Sequence, residues 1–303
     1  MRITHDASPI THHPLPITHY PLPITHYQMT RAKIGVFDSG VGGLTVLREI
    51  YRQLPNESIV YFADTARLPY GNRSQAEILQ FVRQILVWFQ QQDVKMVIMA
   101  CNTSSALALE TVRSQFDFPI LGVILPGAKA AVAVGKRIGV IATPATAASN
   151  AYRRAIGEID AQVQVWQVGC PAFVPLIEQN RINDPYTYEI AQEYLEPLLH
   201  QQIDTLVYGC THYPHLAPIL RTILPNNVTL VDPAVHVVAA AFQELDLLGL
   251  KNQHSPKPTR FCTSGCPQQF ARLSVQWLGC TPAVDQVYLS EPMPLQSAHS
   301  DID

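Results

Sequence analysis

Charge is scarce in this sequence and gathers nowhere. Twenty-one Lys and Arg oppose 24 Asp and Glu, only 15% of the 303 residues are charged, and the net charge is −3. Such a balance argues against nucleic acid or a membrane surface as the main partner, since both attract through clustered positive charge. Long apolar runs are missing too: none approaches the roughly 18 residues of a membrane-spanning helix. The N-terminus has no basic stretch leading into an apolar core, so no secretory signal is expected. The six cysteines (Cys101, Cys170, Cys210, Cys262, Cys266 and Cys280) lack the spacing of a disulfide framework. They read as free thiols in a reducing compartment, with the cytoplasm the expected location.

What is present first is a repeat of seven residues: "ITHDASP" (3–9), "ITHHPLP" (10–16), "ITHYPLP" (17–23) and "ITHYQMT" (24–30). Five of the eleven histidines fall here, which gives a metal-binding tract some claim. Proline at this density allows neither a continuous helix nor a central strand. A short tandem DNA repeat read in frame would produce the same pattern. Residues 1–30 are therefore expected to be a non-native or disordered extension, with Met29 a candidate start and the domain beginning near Arg31.

Strands and helices then alternate. "KIGVF" (33–37), "SIVYFA" (58–63), "KMVIMA" (95–100), "PILGVI" (119–124) and "RIGVIAT" (137–143) are buried-strand runs. Ile78, Val82, Ile85, Leu86 and Phe89 recur at helical spacing, and further helices are expected over 43–54, 146–159, 172–180, 186–201, 235–249 and 267–278. This order implies an α/β fold with parallel sheets covered on both faces. The halves also resemble each other. "KIGVF" matches "RIGVI", and "KMVIMACNT" aligns without gaps against "DTLVYGCTH". A duplicated unit would place Cys101 and Cys210 at equivalent strand ends, where open α/β sheets bind ligands.

Each of these two cysteines precedes an expected helix start, which favours the thiolate and would lower the thiol's pKa. The other four read as packing residues. A zinc site from Cys262, Cys266, Cys280 and His254 fits no common spacing. "FDSGVGGLT" (37–45) invites a dinucleotide reading with Asp64, but Thr45 replaces the third glycine and Asp38 would repel a pyrophosphate. The better reading is a backbone nest holding a carboxylate, with Asp38 left free for an ammonium group or a thiol. "FADTARLPYGNRS" (62–74) is a polar loop fit to edge a pocket. His212 stands two residues after Cys210 and suits a proton relay. Glu178 is a carboxylate at the end of an apolar helix, equally readable as structural or functional.

"IGVFDSGVGGLTV", "ADTARLPYG", "ACNTSSA", "IGVIATPAT", "CPAFVPLIE" and "YGCTHYPHL" occur together in one order. In these motifs the chain resembles the glutamate racemases, cofactor-independent members of the aspartate/glutamate racemase superfamily, from Lys33 to about Leu278. The N-terminal repeat is foreign to that pattern, as are Cys262 and Cys266. So is Leu125, where an acidic residue is usual; it is expected to alter hydrogen bonding behind the pocket. The resemblance implies two pseudo-symmetric parallel-sheet (Rossmann-like) domains with the active site between them. The first would be 31–127 plus 238–288, the second 128–237, and 289–303 a tail. It further implies that Cys101 takes the α-proton from D-glutamate and Cys210 from L-glutamate, with Asp38 assisting the first and His212 the second. Glu178 joins this catalytic set. Ser39, Tyr70, Gly71, Asn102, Thr103 and Thr211 match substrate-binding positions, as Asp38 and His212 do, with Thr143 and Thr146 weaker matches. The expected activity supplies D-glutamate for peptidoglycan and needs neither cofactor nor metal. The expected partners are glutamate and a second copy of the chain in a homodimer.

Inverting a stereocentre by proton transfer needs an acid on one face and a base on the other, and two thiols in opposite protonation states provide both. Two other outcomes stay open. One is a racemase or isomerase of another small carboxylate such as aspartate. The other is a catalytically silent binding or regulatory protein, against which the presence of both cysteines argues.

Overall fold

Apolar runs without alternation are what a strand buried on both faces requires. The structure, a computed structural model, describes residues 26–289, so the expected extension up to residue 25 and the tail from residue 290 lie outside the described residues. Among the described residues ten strands form: β1 (Lys33–Asp38), β2 (Ile59–Ala63), β3 (Val94–Met99), β4 (Ile120–Gly122), β5 (Arg137–Ala142), β6 (Gln164–Gly169), β7 (Thr205–Gly209), β8 (Thr229–Val231), β9 (Arg260–Thr263) and β10 (Val284–Gln286). They make two sheets, one of order β10-β9-β2-β1-β3-β4 and one of order β6-β5-β7-β8. Every pairing is parallel.

Without the two added edge strands, the first sheet runs β2-β1-β3-β4 and matches β6-β5-β7-β8 strand for strand. The likeness of "KIGVF" to "RIGVI" is thus a repeated topology, with β1 equivalent to β5 and β3 to β7. Cys101 follows β3 and Cys210 follows β7, so the two thiols hold equivalent places. The glycine shared by β1 and β5 has one job in both units. A Cβ on Gly35 would lie 2.8 Å from the Phe89 ring, and one on Gly139 would lie 2.8 Å from Ile203 Cδ1. Its absence lets the covering layer rest directly on the central strand.

The helix Gln75–Gln90 buries Ile78, Val82, Ile85, Leu86 and Phe89, as the spacing predicts. Ser74 and Glu77 close a capping box at its start. The expected helix 146–159 is instead two, Pro144–Ala148 and Ala151–Ile159, separated at Asn150 with φ 55°. Asn tolerates the left-handed region better than most residues, and a break at Ser149–Asn150 is where the chain turns. The strand expected at 119–124 stops at Gly122, because Ile124 already opens the helix Ile124–Val134.

Asp232 caps the helix Pro233–Leu247 through Ala234 N–H at 2.9 Å. That helix packs on Leu44–Gln53 and on Ile124–Val134, after which the chain returns to add β9 and β10 beside β2. The expected domain junctions, 127/128 and 237/238, fall inside the helices Ile124–Val134 and Pro233–Leu247. Lys95, fully buried at the start of β3, ties the same region together. Its ammonium reaches Glu57 at 2.7 Å, the Leu250 carbonyl at 2.6 Å and the Thr30 carbonyl at 2.9 Å. Among the described residues no helix is long and apolar enough to cross a membrane.

Candidate active site

Parallel strands end where the following loops diverge, and here the C-terminal ends of β1 and β3 meet those of β5 and β7. Between them lies a cavity of about 460 Å³, within the range of small-molecule sites. Cys101 and Cys210 both line it, together with Asp38, Ser39, Tyr70, Gly71, Asn102, Thr103, Thr143, Glu178, Thr211 and His212. Thr146 does not line it but backs it. Its hydroxyl lies 3.1 Å from that of Thr103 and 2.9 Å from that of Thr143, and a third contact of 3.0 Å joins Thr103 to Thr143. The triangle joins the loop after β3 to the loop after β5.

The glycine loop after β1 behaves differently from expectation. Its backbone nest is turned on the chain's own carboxylate: Gly40 N–H donates to Asp38 Oδ1 at 2.8 Å, and Gly43 N–H also bonds this side chain. Asp38 Oδ2 accepts from the Thr211 hydroxyl at 3.3 Å. Asp38 is therefore held rather than free, and the nest is already filled. Burial raises its pKa above the ordinary carboxylate value, against the lowering influence of His212 and these donors. The second role of the loop is close approach. A Cβ on Gly42 would stand 2.3 Å from His212 Nδ1, so only glycine lets the loop after β7 seat against it.

The thiols do not share one environment. Cys101 is the N-cap of the helix Asn102–Leu107, yet its pKa is pushed up to about 12. Burial is the main cause and the Asp38 charge the next, while the Ser104 and Thr103 N–H groups pull the other way too weakly. The sequence expectation of a thiol acidified by its helix start is thus corrected: removal from water outweighs a short helix's dipole. After Cys210 the chain makes not an α-helix start but a 3₁₀ turn, Tyr213–Leu216. The sulfur there lies 3.7 Å from His212 Nδ1, and His212 Nε2 lies 3.2 Å from Glu178 Oε1. Burial opposes a charge on His212, but hydrogen bonds to Cys210 and Glu178 prevail and raise its pKa to about 10. Trp277, from the helix Pro267–Leu278, meets the His212 ring edge-on with centroids 6.0 Å apart.

The loop 64–73 is anchored by Asp64, which is fully buried. The carboxylate accepts from the Tyr70 hydroxyl, from Arg67 Nε at 2.6 Å and from the Ser264 hydroxyl at 2.7 Å. Tyr70 and Gly71 are so held at the cavity wall, where a Cβ on Gly71 would come within 2.9 Å of Thr143 Cβ.

Sequence reasoning missed several wall residues. Val174 and Gln179 on one side, and Gln269 and Leu273 on the other, also line the cavity. Cys170, read as a packing residue, is buried but belongs to this wall as well. Leu125 does not: it is 41% exposed and lies outside the lining. Among the described residues no Lys or Arg lines the cavity. Among the described residues no three His, Cys, Asp or Glu side chains gather as a metal site. Cys262 is buried in β9, while Cys266 and Cys280 are exposed.

A family model described as Asp/Glu/hydantoin racemase matches residues 34–241. The glutamate racemase of Nostoc sp. is 76% identical over 257 residues, covering 85% of this chain and 88% of the relative. That of Gloeothece citriformis is 69% identical and covers 90% and 98%. Among solved structures, a glutamate racemase isoform from Bacillus anthracis superposes with a TM-score of 0.83 at 39% identity, over 86% of this chain and 98% of that one. The Francisella tularensis glutamate racemase, in complex with D-glutamate, gives 0.81 at 35% identity, with coverage of 86% and 98%.

Proposed function

The chain belongs to the Asp/Glu/hydantoin racemase family and is a racemase, and from that premise we propose that it interconverts L- and D-glutamate by proton transfer between two thiols, without a cofactor. The observation that carries the proposal is that Cys101 and Cys210, at equivalent strand ends of two like units, line a single cavity. In the proposed step a thiolate on one face takes the α-proton. The C–H bond breaks, an S–H bond forms, and the electron pair spreads into the α-carboxylate. The opposite thiol then gives its proton to the other face. Cys101 serves D-glutamate and Cys210 serves L-glutamate.

Asp38 suits the task beside Cys101, since burial makes its carboxylate a better proton acceptor than an exposed one. His212, bracketed by Cys210 and Glu178, holds a proton within reach of the second sulfur. The carbanion is the hard part, because an amino acid's α-proton is far less acidic than a thiol. With no Lys or Arg on the wall, its charge falls to neutral donors: the hydroxyls of Ser39 and Thr103, the Asn102 amide and the backbone at Gly71. Preorganised donors in a water-poor cavity are worth about 3–4 kcal/mol each to a transition state. The proposed setting is the cytoplasm, with D-glutamate passing to peptidoglycan synthesis.

The test is direct. L-Glutamate is incubated with the purified protein in D2O without added cofactor, and both enantiomers are resolved by chiral chromatography and mass spectrometry. Early D-glutamate should carry deuterium while residual L-glutamate keeps protium. Product that retains the substrate's own hydrogen would mean one base working both faces, and absence of turnover would remove glutamate as substrate.

A further inference from the structure

Asn102 follows Cys101 directly, lines the cavity and is 3% exposed. An amide offers an acceptor at one end and two donors at the other, in nearly the same shape, so an unrestrained Asn can present either. The neighbour that decides is Tyr152. Its hydroxyl donates to Asn102 Oδ1 at 2.7 Å. Among the described residues Asn102 Nδ2 has no protein acceptor, which leaves its two N–H groups for the cavity.

Tyr152 comes from the other unit, on the helix Ala151–Ile159, and is itself fully buried and outside the cavity lining. Its ring lies where a Cβ on Gly127 would approach to 3.4 Å, so its position is fixed by packing. Burial, and then the Asp232 charge, raise the phenol well above its ordinary pKa. The hydroxyl therefore keeps its proton, and among the described residues its one protein acceptor is Asn102 Oδ1. On a wall with no Lys or Arg, each neutral donor that meets a carboxylate counts, and an amide turned the wrong way would set oxygen against oxygen.

We propose that Tyr152 is a positioning residue: it locks the Asn102 amide with its donor end toward the substrate carboxylate, through a hydrogen bond that crosses between the two units. The inference rests on the proposed function, in which Asn102 faces that carboxylate.

Tyr152→Phe keeps the ring and removes the hydroxyl. It is expected to lower kcat/KM for L-glutamate about tenfold, the worth of one oriented hydrogen bond. The melting temperature should move by no more than about 3 °C. In an Asn102→Ala background the same change is expected to alter kcat/KM by less than about twofold, because there is no amide left to orient. A loss that persists undiminished in the double variant would make Tyr152 merely structural and overturn the proposal. So would a Tyr152→Phe enzyme of wild-type efficiency. Unchanged kcat/KM in Asn102→Ala alone would instead remove Asn102 from substrate binding, a separate failure of the underlying reading that takes the proposal with it. If Asn102→Ala turns over too slowly to assay, the cycle is read as Kd for D-glutamate by calorimetry, with the same fold-changes expected.

Discussion

Replacing Gly42 with alanine would add one methyl where the two units touch. That methyl would stand 2.3 Å from His212 Nδ1, 2.4 Å from His212 Cε1 and 2.6 Å from Thr211 Oγ1. Ordinary contact starts near 3.4 Å, so the loop or the ring must retreat by about 1 Å. Neither obstacle is loose. His212 is bracketed by Cys210 at 3.7 Å and Glu178 at 3.2 Å. Thr211 donates to Asp38 at 3.3 Å and accepts from Thr45 at 2.9 Å. Overpacking of this kind costs about 1–3 kcal/mol, which in a chain of this size lowers the melting temperature by roughly 2–5 °C. In the proposed reaction His212 is a proton-transfer group, and moving it by about 1 Å costs more in rate, on the order of 100-fold in kcat/KM. Calorimetry reads the first effect and circular dichroism of glutamate turnover reads the second. Gly157→Ala is the control: no atom lies within 4 Å of its Cβ. It should stabilise its helix by about 0.5–1 kcal/mol and leave turnover alone. A Gly42→Ala enzyme with kcat/KM within about twofold of wild type would refute the claim that this contact sets His212.

Cys101→Ala and Cys210→Ala are each expected to abolish racemisation, with residual α-hydrogen exchange in D2O favouring D-glutamate in Cys210→Ala and L-glutamate in Cys101→Ala; equal exchange of both hands by one variant would count against the division of faces. The raised His212 pKa, from an ordinary 6.5 to about 10, means the folded state holds a proton the unfolded chain gives up. That stabilisation is complete below about pH 6.5 and is lost as pH rises toward about 10, so melting temperature should fall across this window and His212→Gln should flatten the slope. A chain starting at Met29 should melt and turn over as the full chain does. Removing Met29–Ala32 as well deprives the Lys95 ammonium of the Thr30 carbonyl and should lower the melting temperature, and no change would show the bond idle.

The strands readable in advance were those buried on both faces, such as β1 and β2, because nothing but continuous apolar sequence survives there. β6 was not readable: its residues are only half-buried, and Gln164 and Gln167 interrupt the run. β8, β9 and β10 span three or four residues, too few to carry a period. In the site, a thiol followed by amides and hydroxyls after an apolar strand was conspicuous at both Cys101 and Cys210. Val174, Gln269 and Leu273 were not, since each looks like any residue on an amphipathic helix. The acidity of Cys101 was misjudged for another reason. Sequence reveals a helix start, but burial depends on the whole fold and here it dominates.

The two units repeat a strand order but not its furnishing. One thiol faces a caged carboxylate, Asp38; the other faces an imidazole backed by Glu178. Enantiomers are true mirror images, whereas these half-sites are only approximate ones. Thermodynamics holds the equilibrium constant of racemisation at unity, so kcat/KM must be identical in the two directions. The imperfect mirror can act only on how that quotient is divided, with tighter binding of one hand balanced by its slower conversion. A stable mimic of one enantiomer should therefore inhibit better than its reflection, even though the reaction itself has no preferred direction.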